Sequence, residues 1–342
     1  MSIKKEVKKR QHYVPQFYLK MYSGSNRVNC YDKTLHIKRP NTLTEKIGYE
    51  KYFYNFSEEF VKEVKEHDTL ISGLVKKHID PNFIVEEFDK QFLEDYFSVL
   101  ESKMALSFSS FVTKIQGKSD LLNSSITDLL SVSEKQDIAK FIALQSIRVP
   151  SFRELGEKVR NLLRLTLPDP FDKLFEESAI VGDNERLFLH LCTGSLQRLG
   201  DYFLENFNWS LAVINKPEEA RFAHVRKTHV TTEFLLSDNP VINIKNMIEK
   251  HENGISLEFA LPINSKLLLL LRESNYPYST SPNSIFSADR NLVRIYNDFQ
   301  VRFSSRKIFY NDEESFKKLQ KFFKSAPRSY THNADTFAVI PL

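Results

Sequence analysis

Phe88, Phe92, Tyr96, Leu100, Met104 and Phe108 recur at helical spacing, and this stripe constrains the fold more than any other feature. It predicts one long helix over roughly 86–115. Further helices are expected over about 57–67, 134–149, 154–165 and 184–206. Ser133 is the expected N-cap of the helix over 134–149, with Gln136 at the capping-box position. Val149-Pro150 should end or kink that helix, because proline disfavours helical dihedrals in the residue before it.

The pattern changes on both sides of this helical middle. Residues 27–32 and 36–38 flank Lys33-Thr34 and predict a hairpin. An aromatic-rich stretch over 11–22, interrupted by Pro15, precedes the hairpin, and a second aromatic knot runs from Tyr52 to Phe56. Late in the chain, 209–214, 233–236, 241–244, 256–261 and 266–271 predict strands, the last apolar enough to be buried on both faces. A helix over 288–302, a strand over 308–310 and a helix over 313–323 follow. This order predicts the α+β class. The expected architecture is a single domain over 1–342, helical over about 57–206 and strand-rich over about 209–310. Its sheet, mixed or antiparallel, draws on the N-terminal hairpin and the C-terminal third.

Composition narrows the function. Nine Gly in 342 residues leave little material for phosphate loops, and neither G-x-G-x-x-G nor G-x-x-x-x-G-K-[ST] occurs. Cys30 and Cys192 stand far apart, which argues against a zinc ribbon or a disulfide framework. No G-x-S-x-G or H-E-x-x-H is present, and nucleotide, haem and zinc motifs are all lacking. The first ten residues set five Lys or Arg against one Glu, without the apolar core of a signal peptide. They predict a solubilising, frayed basic arm, although such an arm can also touch nucleic acid. No apolar run is long enough to span a bilayer, so a cytoplasmic protein with no membrane partner is expected.

The informative residues are polar ones at apolar positions. Ile138, Phe141 and Ile142 mark the buried face of the helix over 134–149, and Gln145 and Arg148 continue that face. A buried Arg needs a carboxylate partner, and Glu101, at the edge of the long helix's stripe, is a candidate. The bland reading is an internal ion pair, and the functional one an anion site. Ser237-Asp238-Asn239-Pro240 follows the apolar Phe234-Leu235-Leu236. It reads either as a polar turn or as carboxylate and amide oxygens offered to Mg²⁺. His12 fits a packing residue as well as a general base. Asn297 shares the inward face of its helix with Val293 and Val301, where it ties helices or orients a site. His224 and His229 read as surface residues.

Six blocks carry a family resemblance: Gln11-His12-Tyr13-Val14-Pro15-Gln16-Phe17-Tyr18-Leu19, Phe53-Tyr54-Asn55, the segment from Phe141 through Gln145 to Arg148-Val149-Pro150, Leu236-Ser237-Asp238-Asn239-Pro240, the apolar strand at Leu267–Leu271, and the late stretch from Asn297 to Arg306. Together they resemble a bacterial domain-of-unknown-function family, numbered 4238. The resemblance implies one domain of about this length and no particular activity.

These residues lead to an expectation of a metal-dependent nuclease acting on DNA or RNA, in phage defence or a toxin–antitoxin setting. Asp238, Asn239 and Glu101 would hold Mg²⁺, and His12 would act with Asp238 and Glu101 in catalysis. Arg148, Gln145 and Asn297 would bind substrate. Two features pull against this. No E-x-K follows Asp238 on the later strands, and a net charge of +4 is mild for a nucleic-acid enzyme. The alternative is a non-catalytic interaction or sensor module of a bacterial defence system, in which Arg148 is structural and Tyr52 and Phe56 form a binding patch. Transfer chemistry on a nucleotide beside His12 is a third expectation.

Overall fold

The computed structural model describes residues 7–66, 68–153, 182–214, 233–245, 257–274, 276, 281–314, 316, 317 and 320. In chain order the elements are β1 (Arg10–His12), α1 (Gln16–Ser23), β2 (Arg27–Asp32), β3 (Ile37–Leu43), β4 (Tyr49–Lys51), α2 (Glu58–Glu66), α3 (Asp68–His78), α4 (Phe92–Gly117), α5 (Val132–Ile147), α6 (Asp183–Cys192) and α7 (Ser195–Asn206). They continue with β5 (Phe207–Val213), β6 (Leu236–Ser237), β7 (Ile242–Lys245), β8 (Leu257–Asn264), β9 (Leu267–Glu273), β10 (Ile285–Ser287), α8 (Arg290–Phe303) and β11 (Lys307–Tyr310).

The fold is α+β, and its sheets join the two ends of the chain. The hairpin β2–β3 continues through β11 to β6 in a four-stranded antiparallel sheet, so an N-terminal hairpin pairs directly with a C-terminal strand. A five-stranded sheet has the order β10-β5-β9-β8-β7, antiparallel except for the β10–β5 pair. β1 and β4 form a separate two-stranded ribbon. In β9 the period of two separates the leucines: Leu267, Leu269 and Leu271 face the main core, while Leu268 and Leu270 pack with Val293 and Tyr296 of α8. That strand is buried on both faces, as its sequence predicts.

The long helix begins at Phe92, because Val85–Glu87 forms a short 3₁₀ turn ahead of it. α5 starts two residues earlier than expected. Its N-cap is Ser131, and Glu134 completes the capping box. Both Ser131 and Ser133 have the S-x-x-[EQ] spacing, but Glu134 also pairs with Lys114 of α4 at 2.7 Å, which favours the earlier start. The expected helix over 184–206 is two helices. Gly194 breaks it at φ 77°, and a Cβ there would meet the His78 ring at 2.8 Å. The helix expected over 154–165 lies outside the described residues, as does most of the one over 313–323. Among the described residues no helix is long and apolar enough to cross a membrane.

Candidate functional site

The Gln11-His12-Tyr13 segment is held by its neighbours on every side. Gln11 is fully buried; its Nε2 donates to Asn55 Oδ1 at 2.6 Å, and its Oε1 accepts from the Tyr54 N–H at 2.5 Å. β1 pairs in register with β4, setting His12 opposite Tyr49 with their rings 5.4 Å apart. Val14 N–H then donates to Gly48 O at 3.1 Å. The described end of the basic arm is also anchored, at Lys8. The Lys8 N–H donates to Gln91 Oε1 at 3.1 Å, Gln91 Nε2 donates to Lys8 O at 2.9 Å, and Lys8 Nζ pairs with Asp95 at 3.0 Å.

Arg148 caps the C-terminus of α5 and is 1% exposed. Its Nη2 donates to His12 O at 2.5 Å and to Glu101 Oε1 of α4 at 2.7 Å. The guanidinium lies over the rings of Phe97 and Tyr54, at 5.0 and 5.7 Å from their centroids. One turn earlier on α5, Gln145 spans the same groups. In the amide orientation that satisfies its neighbours, it donates to Tyr13 O at 3.1 Å and accepts from Arg148 Nε at 3.3 Å. The carboxylate partner that burial demanded is therefore Glu101.

Two buried atoms of this node have no hydrogen-bond partner: His12 Nε2 and Arg148 Nη1. Burial first, and then the Arg148 charge, lower the His12 imidazole to about 4, so it is neutral at pH 7. Glu94 lies two helical turns before Glu101 on α4. Burial, the largest cause, raises its carboxyl to about 7; the Arg148 charge opposes this and Glu101 adds to it. Sequence reasoning did not single out Glu94. The available signal was its seven-residue spacing from Glu101, which places both on one face of α4.

Asp238 is at the centre of a second node. Its carboxylate accepts three backbone N–H bonds, from Ser305 at 2.9 Å and from Arg306 and Lys307 at 2.7 Å each. It thereby fastens β6 to the turn between α8 and β11. The Ser237 hydroxyl reaches Gln300 Oε1 at 2.6 Å, and Asn239 Nδ2 donates to Phe303 O at 3.2 Å. Asn297 accepts from Leu235 N–H at 2.7 Å and donates to Glu233 O at 2.9 Å. Burial raises the Asp238 carboxyl, against the pull of those backbone donors.

His12, Arg148, Gln145 and Glu101 therefore meet in one node, while Asp238, Asn239 and Asn297 serve the other. Tyr13 bridges the two: its main-chain oxygen faces Gln145, and its hydroxyl accepts from Lys307 Nζ at 3.2 Å. The three expected metal ligands share no partner: Glu101 answers Arg148, Asp238 answers backbone, and Asn239 donates to a carbonyl. Among the described residues no three His, Cys, Asp or Glu side chains form a group that could hold a metal. His224 and His229 lie outside the described residues.

The family model of DUF4238, a protein of unknown function, matches residues 10–314. The chain belongs to the DUF4238 family. The matched region opens at the first residue of β1 and closes just past β11, so it contains both nodes of this DUF4238 protein. No curated protein and no solved structure matches the chain.

Proposed function

We propose that this DUF4238 protein is a phosphodiester hydrolase acting on nucleic acid, with its chemistry at the Arg148 node. One observation carries the reading. His12 and Arg148, linked by a hydrogen bond from the guanidinium to the His12 main-chain oxygen, each keep a buried side-chain nitrogen without a partner. Leaving such an atom unpaired costs about 1–3 kcal/mol, and a phosphate oxygen with a nucleophile's O–H would satisfy both. Arg148 would clamp the phosphate, and neutral His12 would take the nucleophile's proton. Gln145 and Tyr54 would hold the guanidinium in place. Arg10, stacked 5.5 Å over Tyr49 beside His12, offers a further phosphate contact. Asp238 takes a positioning role, because a cation there would have to displace three backbone donors. The test is degradation of end-labelled RNA and DNA oligonucleotides by the purified chain and by Arg148→Met. No cleavage of either polymer, with or without Mg²⁺, would reject the proposal.

A second reading, the non-catalytic interaction module, draws support from the setting of Arg148. Its side chain is fully buried between two aromatic rings, as a structural pin would be. On that reading Arg148→Met would lose stability in step with any loss of function.

A further inference from the structure

The β1–β4 ribbon that carries His12 also presents a charged surface that the fold does not neutralise. In its antiparallel register Arg10 stands directly opposite Lys51, and both residues are exposed. Like charges set directly across two strands repel, and among the described residues neither cation has an ion-pair partner. Glu50 does not serve, because the period of two turns it to the other face with Gln11, where its charge acts on Arg153 and Arg306. Lys9 is exposed as well, and its main-chain oxygen accepts from the Tyr52 N–H at 3.1 Å. Tyr52 itself has φ 57°, a left-handed conformation that a bulky residue adopts only under constraint. The outcome is a tyrosine 43% exposed next to Lys51, while Phe53 and Tyr54 after it are buried. A second ring, Tyr49, lies under the Arg10 guanidinium at 5.5 Å.

We infer that this ribbon is a binding surface for a single-stranded polynucleotide. The inference deepens the nuclease reading and rests on it for the class of polymer. A phosphate seated between Arg10 and Lys51 turns a repulsive pair into two charge-assisted contacts. Tyr52 offers a ring face to a base of the same strand. In a duplex both faces of each base are already covered by its neighbours, so the ring selects unpaired strands. Cations and exposed rings on one short surface suit a strand held without regard to sequence. An acidic peptide would answer the cations and leave Tyr52 unused. Arg10 and His12 share a face of β1, so a strand held by Arg10 is led toward the residue whose main-chain oxygen binds Arg148.

The experiment measures fluorescence anisotropy of a labelled oligothymidylate, and of the matching A·T duplex, with the full chain in EDTA. A gel shows whether the strand stays intact, so binding is read apart from cleavage. The strand should bind, and the duplex should bind about tenfold more weakly or worse. Arg10→Gln combined with Lys51→Gln should flatten the plot of log affinity against log salt by about 1. Lys76→Gln combined with Lys77→Gln removes two exposed charges from α3 and should leave that plot unaltered. Tyr52→Gly removes the ring and relieves the left-handed backbone. It should weaken the strand about tenfold without lowering the thermal midpoint. Equal losses from the α3 pair and the ribbon pair, a duplex bound as tightly as the strand, or no binding of the strand would each overturn the inference. Cleavage that the ribbon variants leave at the parental rate would overturn it and spare the nuclease reading. Binding as expected, by a chain that cleaves neither RNA nor DNA, would remove the nuclease reading alone.

Discussion

The two polar nodes on either side of Tyr13 are built from similar groups and differ in how they are satisfied. Around Asp238 every group used has found a partner: both carboxylate oxygens, the Ser237 hydroxyl and the amides of Asn239, Asn297 and Gln300. Around Arg148 the aromatic rings and Glu101 hold the guanidinium, yet Arg148 Nη1 and His12 Nε2 remain unpartnered. A satisfied network specifies a fold, whereas an unsatisfied one adds cost without adding order. On the proposed reading the contrast assigns structure to Asp238 and chemistry to Arg148, and mutation can break it.

The largest effect is expected at Asp238. Asp238→Ala leaves three buried backbone N–H groups without an acceptor and should cost about 3–5 kcal/mol in urea unfolding. If that variant unfolds at the parental urea concentration, the S-D-N-P turn is no tie, and the comparison loses its structural half.

The second effect is a pH dependence that separates His12 from Glu94. His12 is lowered from 6.5 to about 4 on folding. Between those values the unfolded chain binds a proton that the folded one refuses, so stability falls as pH drops through this window. The shift corresponds to about 3 kcal/mol, and His12→Gln should remove that loss. Glu94 runs the other way, from 4.5 up to about 7. Its protonated form favours the fold below 4.5, and that contribution fades as pH rises to 7. Glu94→Gln should flatten this opposite slope, by a smaller amount because the group meets solvent. Unfolding midpoints of the two variants and the parent across pH 4–7.5 are the measurement, and parallel curves would count against both shifts.

How much of this was legible in the sequence depended on whether the partners lie along the chain or across it. The buried face of α5 followed from spacing alone, and so did Gln145, Arg148 and the need for a carboxylate, because a helix fixes which residues share a side. β9 was legible because five leucines in a row can only be buried. Asp238 was visible as an oddity but not as a tie: its acceptors' partners are backbone N–H groups of residues 305–307, and a sequence does not show where a backbone donor points. β1 is three residues long, between a basic arm and a proline, too short to have a period. Glu94 drew no notice in the sequence, because its shift arises chiefly from burial, which only the folded packing creates. The break at Gly194 follows from its left-handed backbone and the His78 ring pressed against it, a contact spanning more than a hundred residues.

Arg148→Met tests the open node directly. It replaces a buried cation by an apolar chain of similar length and removes one unpartnered N–H, while Glu101 can turn to solvent. The expected cost is about 1–2 kcal/mol, well under that of Asp238→Ala, together with loss of nucleic-acid cleavage. Equal destabilisation by the two variants would make Arg148 a pin and favour the interaction-module reading.

The smallest effect is the sharpest probe of what the guanidinium is for. The Glu101 side chain is 22% exposed and accepts from Arg148 Nη2, whose own side chain is fully buried. Glu101→Gln should therefore cost no more than about 1 kcal/mol, as partly exposed pairs do. On the functional reading Glu101 is a competitor, an internal anion that a phosphate must displace or share with. Removing its charge should make inorganic phosphate bind a few-fold tighter in calorimetry, a gain that no structural role predicts. A pin that loses its counter-charge would bind phosphate no better and melt earlier. The sign of a change of under 1 kcal/mol thus separates the two readings where a large loss of stability could not.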